Sequence, residues 1–370
     1  MARPKKTVAK LKTYNGNVNL KRANQKIDYT KEQTLEYMKC SESVVYFTEH
    51  YMKIINLNEG LINFTPYDYQ KEMLKSFVDN RFTCVTSSRQ SGKSTTTCAF
   101  LLWYVLFNPD KTVALLANKG DVAREILQKV RLAYQHLPKW LQQGTVGFNK
   151  GDLEFENNSR IIAGSTSTDS IRGYSINCLF IDEAAWIDNW DEFFTSVYPT
   201  ISSGNETKMI LVSTPNGMNH FYKTWQLAKE KKNNFYPIEV SWQRVPGRDE
   251  KWKNSTLAEL NFDCEKFSQE YECNFLGSTG TLIDGKTLKE LVHKTAIRQH
   301  EGLSQYIDAI PNHVYMIVCD VARGKRLDYS AFQVIDITQM PYQQASTYRN
   351  NSVGPSDFAE IILKRIDRLI

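Results

Sequence analysis

Residues 85–97 read VTSSRQSGKSTTT, with Gly92-Lys93-Ser94 placed where an apolar run gives way to a helical one. A strand that feeds a short loop and then a helix N-terminus leaves several backbone N–H groups aimed at one spot, which suits an anion. Gly92 lets the backbone approach closely. Lys93 puts an ammonium on the β- and γ-phosphates of a nucleotide, and the Ser94 hydroxyl suits Mg2+. Two features depart from the G-x-x-x-x-G-K-[ST] pattern: Ser87 stands at its first glycine, and Arg89 sits inside the loop. On the motif alone, a chance Gly-Lys-Ser in an ordinary strand-to-helix turn stays open.

A second acid-bearing stretch changes that balance. CLFIDEAAW, residues 178–186, is a short apolar strand that ends in Asp182 and Glu183. A carboxylate at the C-terminal end of a neighbouring parallel strand lies beside the loop. Asp182 there holds Mg2+, often through water, and Glu183 orients and polarises an attacking water. Solvated acids at a strand end account for one acid but poorly for two after so apolar a run. The loop and the acid pair together read as nucleoside-triphosphate hydrolysis.

Three further positions carry two readings each. Gln70 lies on a helix about 20 residues before the loop, where its amide either reads an adenine edge or faces solvent. Ser213 and Thr214 end the strand in KMILVSTPNG (208–217), as sensors of the γ-phosphate or as a plain Thr-Pro-Asn-Gly turn. Arg172, in SIRGYS, reaches phosphate or DNA, or is a loop cation.

These residues need a scaffold, and the pattern supplies one. Residues 30–58 read as helical. FTPYDYQKEMLKSFVDN (64–80) opens with a Thr-Pro start signal and continues as an amphipathic helix. A strand at 81–87, the loop, and a helix from Gly92 to Phe107 follow. A strand at 112–118 comes next, then a long helix to Tyr134 and a hairpin closing on a strand over 152–165. Strands alternating with helices predict a mostly parallel sheet covered on both faces. The strand at 112–118 falls between the lysine strand and the acid strand, the pattern of motor-type ATPases rather than of simple nucleotide kinases. The expected division is a basic arm and helical segment over 1–59, an ATPase core over 60–230, a Trp-rich and charge-rich small subdomain over 231–305, and the opening of a further domain over 306–370. In that last part three strands and a helix are expected.

Composition sets outer limits. The 370 residues, 41% apolar, suffice for real cores, and no run approaches a membrane span. The seven cysteines are scattered without a C-x-x-C pair, which favours reduced, mostly buried thiols and a cytosolic setting. Net charge is +5, yet the first 26 residues hold eight Lys/Arg and no acid, leaving a net −3 (five minus eight) elsewhere. Such an arm binds phosphate backbone, or is a solvated tail.

Six pieces in order, YDYQKEML, TSSRQSGKSTT, STSTDSIRGYS, CLFIDEAAW, ILVSTPNG and MIVCDVARGKRLDYSAFQVID, resemble the large terminase subunit of tailed bacteriophages. The likeness runs from about residue 60 to the end, and the degenerate loop S-R-Q-x-G-K-[ST] marks the family. The resemblance implies a P-loop NTPase of the additional-strand, motor type with a small lid subdomain. It implies ATP and Mg2+ as ligands, held by Gln70 at the adenine and by Ser88, Arg89, Gln90, Ser91, Gly92, Lys93, Ser94 and Thr95 at the phosphates. Arg89 matches an arginine finger supplied by the same chain, Glu183 and Lys93 the other catalytic positions, and Ser213 and Thr214 a coupling motif. Asp320 matches the first metal-binding acid of a ribonuclease H-like nuclease and Asp328 a neighbouring one. The later acids of that site are missing, so the nuclease is expected to be incomplete and inactive. The implied partners are double-stranded DNA, a viral portal and prohead, and a small terminase subunit, with a ring oligomer formed only on the portal, in the host cytoplasm.

Two other functions compete. A helicase-like DNA-dependent ATPase shares the strand order and the Asp-Glu chemistry but needs a second motor domain with its own arginine finger. A module that binds nucleotide without hydrolysis is opposed by the intact set Lys93, Ser94, Asp182 and Glu183.

Overall fold

The computed structural model describes residues 12–167, 171, 173–275, 294–325 and 328–366. The chain divides into two compact units, Met1–Leu288 and Lys289–Ile370. The larger opens with a hairpin, β1 (Thr13–Tyr14) and β2 (Asn17–Lys21), then α1 (Lys31–Glu42), α2 (Val44–Tyr51) and a second hairpin, β3 (Lys53–Asn56) and β4 (Gly60–Asn63). The alternating segment follows: α3 (Asp68–Asp79), β5 (Phe82–Ser87), α4 (Lys93–Phe107), β6 (Thr112–Ala117), α5 (Gly120–Gln135), β7 (Thr145–Phe148), β8 (Asp152–Phe155), β9 (Arg160–Ser165), β10 (Cys178–Asp182), α6 (Trp190–Ser202), β11 (Lys208–Ser213), α7 (His220–Lys229), β12 (Phe235–Val240), α8 (Glu250–Glu259) and α9 (Cys264–Tyr271).

Eight of these strands form one sheet in the order β12-β5-β11-β10-β6-β9-β8-β7. β12, β5, β11, β10, β6 and β9 pair in parallel, and β7 and β8 add an antiparallel edge. β5 and β10 are buried along their whole length, as strands covered on both faces must be. The lysine strand and the acid strand are therefore one strand apart, not adjacent. The strand between them is β11, and β6 lies on the far side of β10.

Period-two alternation sends strand residues to two cores. Val85, Leu115, Phe180 and Val212 join α3, α4 and α5 on one face. Cys84, Leu116, Ile181 and Leu211 join Phe193 and Val197 of α6 and Phe221 and Trp225 of α7 on the other. α4 runs through the first core with all residues from Thr96 to Leu106 buried, so the loop at its start is anchored to a firmly packed helix.

Several sequence expectations give way to the structure. The helical reading of 30–58 stops at Tyr51, because Ser43 ends α1 and caps α2, and KIIN then pairs with GLIN around a turn capped by the Asn56 side chain. The core does not end at 230: β12 pairs with β5 along its length, although FYPIEV, with Pro237 tolerated on an edge strand, lacks the look of a buried strand. The basic segment is folded over its second half. Leu20 and Lys21 are buried, and Lys21 forms an ion pair with Glu156 at 3.0 Å.

The second unit holds β13 (Arg298–His300), β14 (Leu303–Gln305), β15 (Tyr315–Asp320), β16 (Ser330–Asp336), β17 (Gln343–Asn350) and α10 (Pro355–Ile366). They build an antiparallel sheet in the order β13-β14-β17-β16-β15 over a small core of Phe332, Val334, Ala345, Tyr348 and Phe358. Three strands and a helix lie within 306–370 as expected, but the unit begins before 306, and β13 and β14 add two strands that were not expected. RQH and LSQ are too short and polar to show the alternation that betrays a strand.

Candidate nucleotide site

The loop between β5 and α4 is shaped by two left-handed residues, Gln90 (φ 55°) and Gly92 (φ 75°). Gly92 suits the left-handed conformation, and a Cβ there would also meet Gln70 Nε2 at 2.6 Å and oblige that side chain to shift. At the start of α4, Lys93 Nζ lies 2.8 Å from Glu183 Oε1, and Ser94 Oγ donates to Asp182 Oδ2 at 3.3 Å. Thr95 follows, half-buried, on the same first turn. The parallel register that carries β10 to the same end of the sheet as β5 brings the four predicted residues Lys93, Ser94, Asp182 and Glu183 together.

Asp182 is buried, and desolvation raises its pKa against the opposing pull of Lys93. Glu183 donates its backbone N–H to Asp182 Oδ1 at 3.1 Å and adopts a left-handed φ of 51°, a conformation costly for a non-glycine residue. Glu183 Oε2 and Ser91 Oγ are buried without a hydrogen-bond partner among the described residues. Orphaned polar atoms at one spot mark a place built for a polar ligand. The hard-oxygen donor pair, a hydroxyl and a carboxylate, fits Mg2+.

Arg89 points elsewhere. Its Nε and Nη2 donate to the two carboxylate oxygens of Glu270 on α9, at 2.6 and 3.0 Å. Its backbone N–H donates to the Glu270 carbonyl at 2.9 Å, and the Ser88 N–H to the Val240 carbonyl at 2.8 Å. Gln70 is buried rather than at the surface. Its Oε1 accepts from Tyr67 N at 2.9 Å, its Nε2 lies 3.5 Å from the Ser91 carbonyl, and the neighbouring Tyr69 hydroxyl donates to that carbonyl at 2.6 Å.

This geometry meets an independent likeness in sequence. Residues 84–290, more than half of the chain, match the sequence model of the family described as terminase large subunit, T4likevirus-type, N-terminal. The chain belongs to the terminase large subunit family. The terminase large subunit of Escherichia phage T5 is 27% identical over 234 residues, covering 60% of this chain and 50% of that protein. The chain thus spans about half the length of that relative. In fold, it resembles the large terminase of bacteriophage HK97 with a TM-score of 0.52 at 15% identity, covering 83% of this chain and 67% of that one.

In this terminase chain the predicted coupling residues face the acid strand's turn. Ser213 Oγ accepts from Ala185 N at 3.1 Å, and Thr214 Oγ1 lies 3.5 Å from Trp186 Nε1. Sequence reasoning missed the rest of that segment. Asn216 and Asn219 donate to the Ala185 carbonyl, and His220 Nε2 sits 2.7 Å from the Ala184 carbonyl, so the turn after Glu183 is held from one side by residues 213–220. The signal was available in part, since Asn219 precedes a helical run as a strong N-cap. Burial lowers the pKa of His220. Glu270 and Arg248 were also missed, because neither belongs to a motif. Arg172 lies outside the described residues. Asp320 stands exposed at the end of β15 and Asp328 exposed beyond it, both in the second unit.

Proposed function

We propose that the chain hydrolyses ATP with Mg2+ as the motor part of a DNA-packaging terminase. The observation that carries this reading is the convergence of Lys93 and Ser94 with Asp182 and Glu183 at one end of a parallel sheet. Lys93 and the loop N–H groups bind the β- and γ-phosphates, and Gln70, which lies against the loop, reads the adenine edge. Ser94 and Asp182 hold the Mg2+, whose chemistry when bound is to neutralise charge on the phosphates. Glu183 takes the proton of the attacking water. Arg89, released from Glu270, neutralises charge on the transferring group. Ser213 and Thr214 relay the state of the acid turn.

The work performed is translocation of double-stranded DNA into a viral prohead in the host cytoplasm, with a portal and a small terminase subunit as partners and a ring formed on the portal. Family membership supports this reading. The test is ATP turnover by the chain with and without DNA, beside the Glu183→Gln variant. No turnover in the unmodified chain, with DNA and Mg2+ present, overturns the assignment.

A further inference from the structure

The Trp-rich stretch that supplies Glu270 also touches the loop through a residue the chemistry above does not use. Trp242, Trp252, Phe267 and Tyr271 pack ring against ring, with Trp242 and Trp252 stacked at 5.8 Å and Trp252 edge-on to Tyr271 at 5.4 Å. On this platform lies Arg248, its guanidinium 4.6 Å from the Trp252 centroid and 5.9 Å from that of Tyr271. Three contacts leave it, all to the loop: Nη1 to Ser88 Oγ at 3.2 Å, and Nη2 to the carbonyls of Arg89 at 2.9 Å and Gln90 at 3.1 Å. Among the described residues no carboxylate pairs with this half-buried cation, and burial lowers its pKa.

The consequence follows from peptide geometry. In a planar trans peptide the N–H points opposite to the C=O. A donor that captures the Arg89 carbonyl turns the N–H of Gln90 the other way, and one that captures the Gln90 carbonyl does the same for Ser91. The N–H groups of Ser88 and Arg89 are spent on Val240 and Glu270, whereas among the described residues those of Gln90 and Ser91 have no protein acceptor. The Ser91 hydroxyl is likewise buried and unpartnered. Arg248 therefore orients the two donors that the loop still has to offer in its first half.

We propose that Arg248 is a positioning residue for the nucleotide: it holds the loop carbonyls from the aromatic platform so that the Gln90 and Ser91 N–H groups face the phosphates. The inference rests on the nucleotide-site reading above and adds to it a residue of the small subdomain that acts through the loop backbone. A lysine cannot replace it, because one ammonium on a flexible stem lacks the fork that spans two carbonyls and a hydroxyl.

The test is the affinity of the nucleotide-free chain for ADP and Mg2+ by calorimetry, in the unmodified chain, Arg248→Ala and Arg248→Lys, with thermal unfolding and steady-state kinetics alongside. Arg248→Ala is expected to weaken ADP binding about tenfold and to raise KM by a similar factor, with kcat within about threefold. Arg248→Lys, which keeps a cation on Trp252 and guards against failure of the alanine variant to fold, is expected to recover less than half of the lost affinity on a logarithmic scale. Unchanged ADP affinity in a folded Arg248→Ala chain overturns the proposal while leaving the nucleotide site intact. Full recovery by lysine also overturns it, since charge alone would then suffice. Failure of the unmodified chain to bind either ADP or ATP overturns the nucleotide site itself, and this inference with it.

Discussion

Lys93 and Glu183 meet with Nζ 2.8 Å from Oε1. The pairing joins the cation expected on the phosphates to the acid expected on the water, so each is held by the other until a nucleotide separates them. Glu183→Gln frees Lys93 of that competition, and ATP affinity is expected to hold or rise. Turnover is expected to fall by about a hundredfold or more, because an amide accepts a hydrogen bond but cannot serve as a base. Lys93→Ala is expected to weaken binding as well as turnover. Equilibrium binding and single-turnover hydrolysis separate the two effects, and near-normal turnover in Glu183→Gln removes the acid from the mechanism.

Arg89 makes a different test, because its guanidinium is engaged through Nε and Nη2 by both carboxylate oxygens of Glu270. If it acts on the transferring group it must first leave that carboxylate. Arg89→Ala is then expected to lower kcat by about 10³ with little loss of ATP affinity. Glu270→Ala, which releases the arginine, is expected to keep kcat within about tenfold of the unmodified chain. Equal loss in both variants shows that the ion pair is a structural tie between the loop and α9.

Asp182 offers a pH signature. Burial raises its pKa, so the fold binds its proton more tightly than the unfolded chain does. Its contribution to stability is thus greatest at low pH and is lost as pH rises from the ordinary aspartate range through the raised value. Asp182→Asn keeps the partners, since its amide can still meet Ser94 and the Glu183 N–H, and it removes the buried charge. The variant is expected to melt a few degrees above the unmodified chain at pH 7, with the gap closing towards pH 4, and to lose Mg2+-dependent hydrolysis. A lower melting temperature at pH 7 contradicts the account of desolvation.

What the sequence made legible follows from what leaves a local trace. β10 is an apolar run ending in an acid, and β5 is a β-branched-rich strand that leads straight into the Gly-Lys-Ser loop, so their place in a buried parallel sheet and the meeting of Lys93 with Glu183 could be read directly. β12 could not, since an edge strand with Pro237 and alternating exposure looks like a loop. Nor could the position of Arg89, whose partner lies 181 residues away on a helix without a motif. Arg248 illustrates the same limit, because its hold on the loop depends on Trp252 and Tyr271 supplying a surface that exists only after folding. Lys21 was hidden for the opposite reason: it lies in a basic, polar stretch with Leu20 beside it, and nothing nearby in sequence announces Glu156.

That last residue reshapes the expectation for DNA. Of the eight cations in the first 26 residues, Lys21 is buried and paired at 3.0 Å with Glu156, whose carboxylate also accepts from Asn24 N and Gly144 N. Lys21 is therefore committed to the fold. Lys21→Ala is expected to cost on the order of 3 kcal/mol of stability by leaving Glu156 without its cation, while the salt dependence of DNA binding stays the same. The cations at Arg3, Lys5, Lys6 and Lys10 precede the hairpin. Removing residues 1–11 is expected to lower the slope of log affinity against log salt by up to about 0.9 per lost phosphate contact. Titrations of a mixed-sequence duplex at several salt concentrations measure the slope for each chain. A slope that survives the deletion moves the DNA-binding surface off residues 1–11 and onto the rest of the chain.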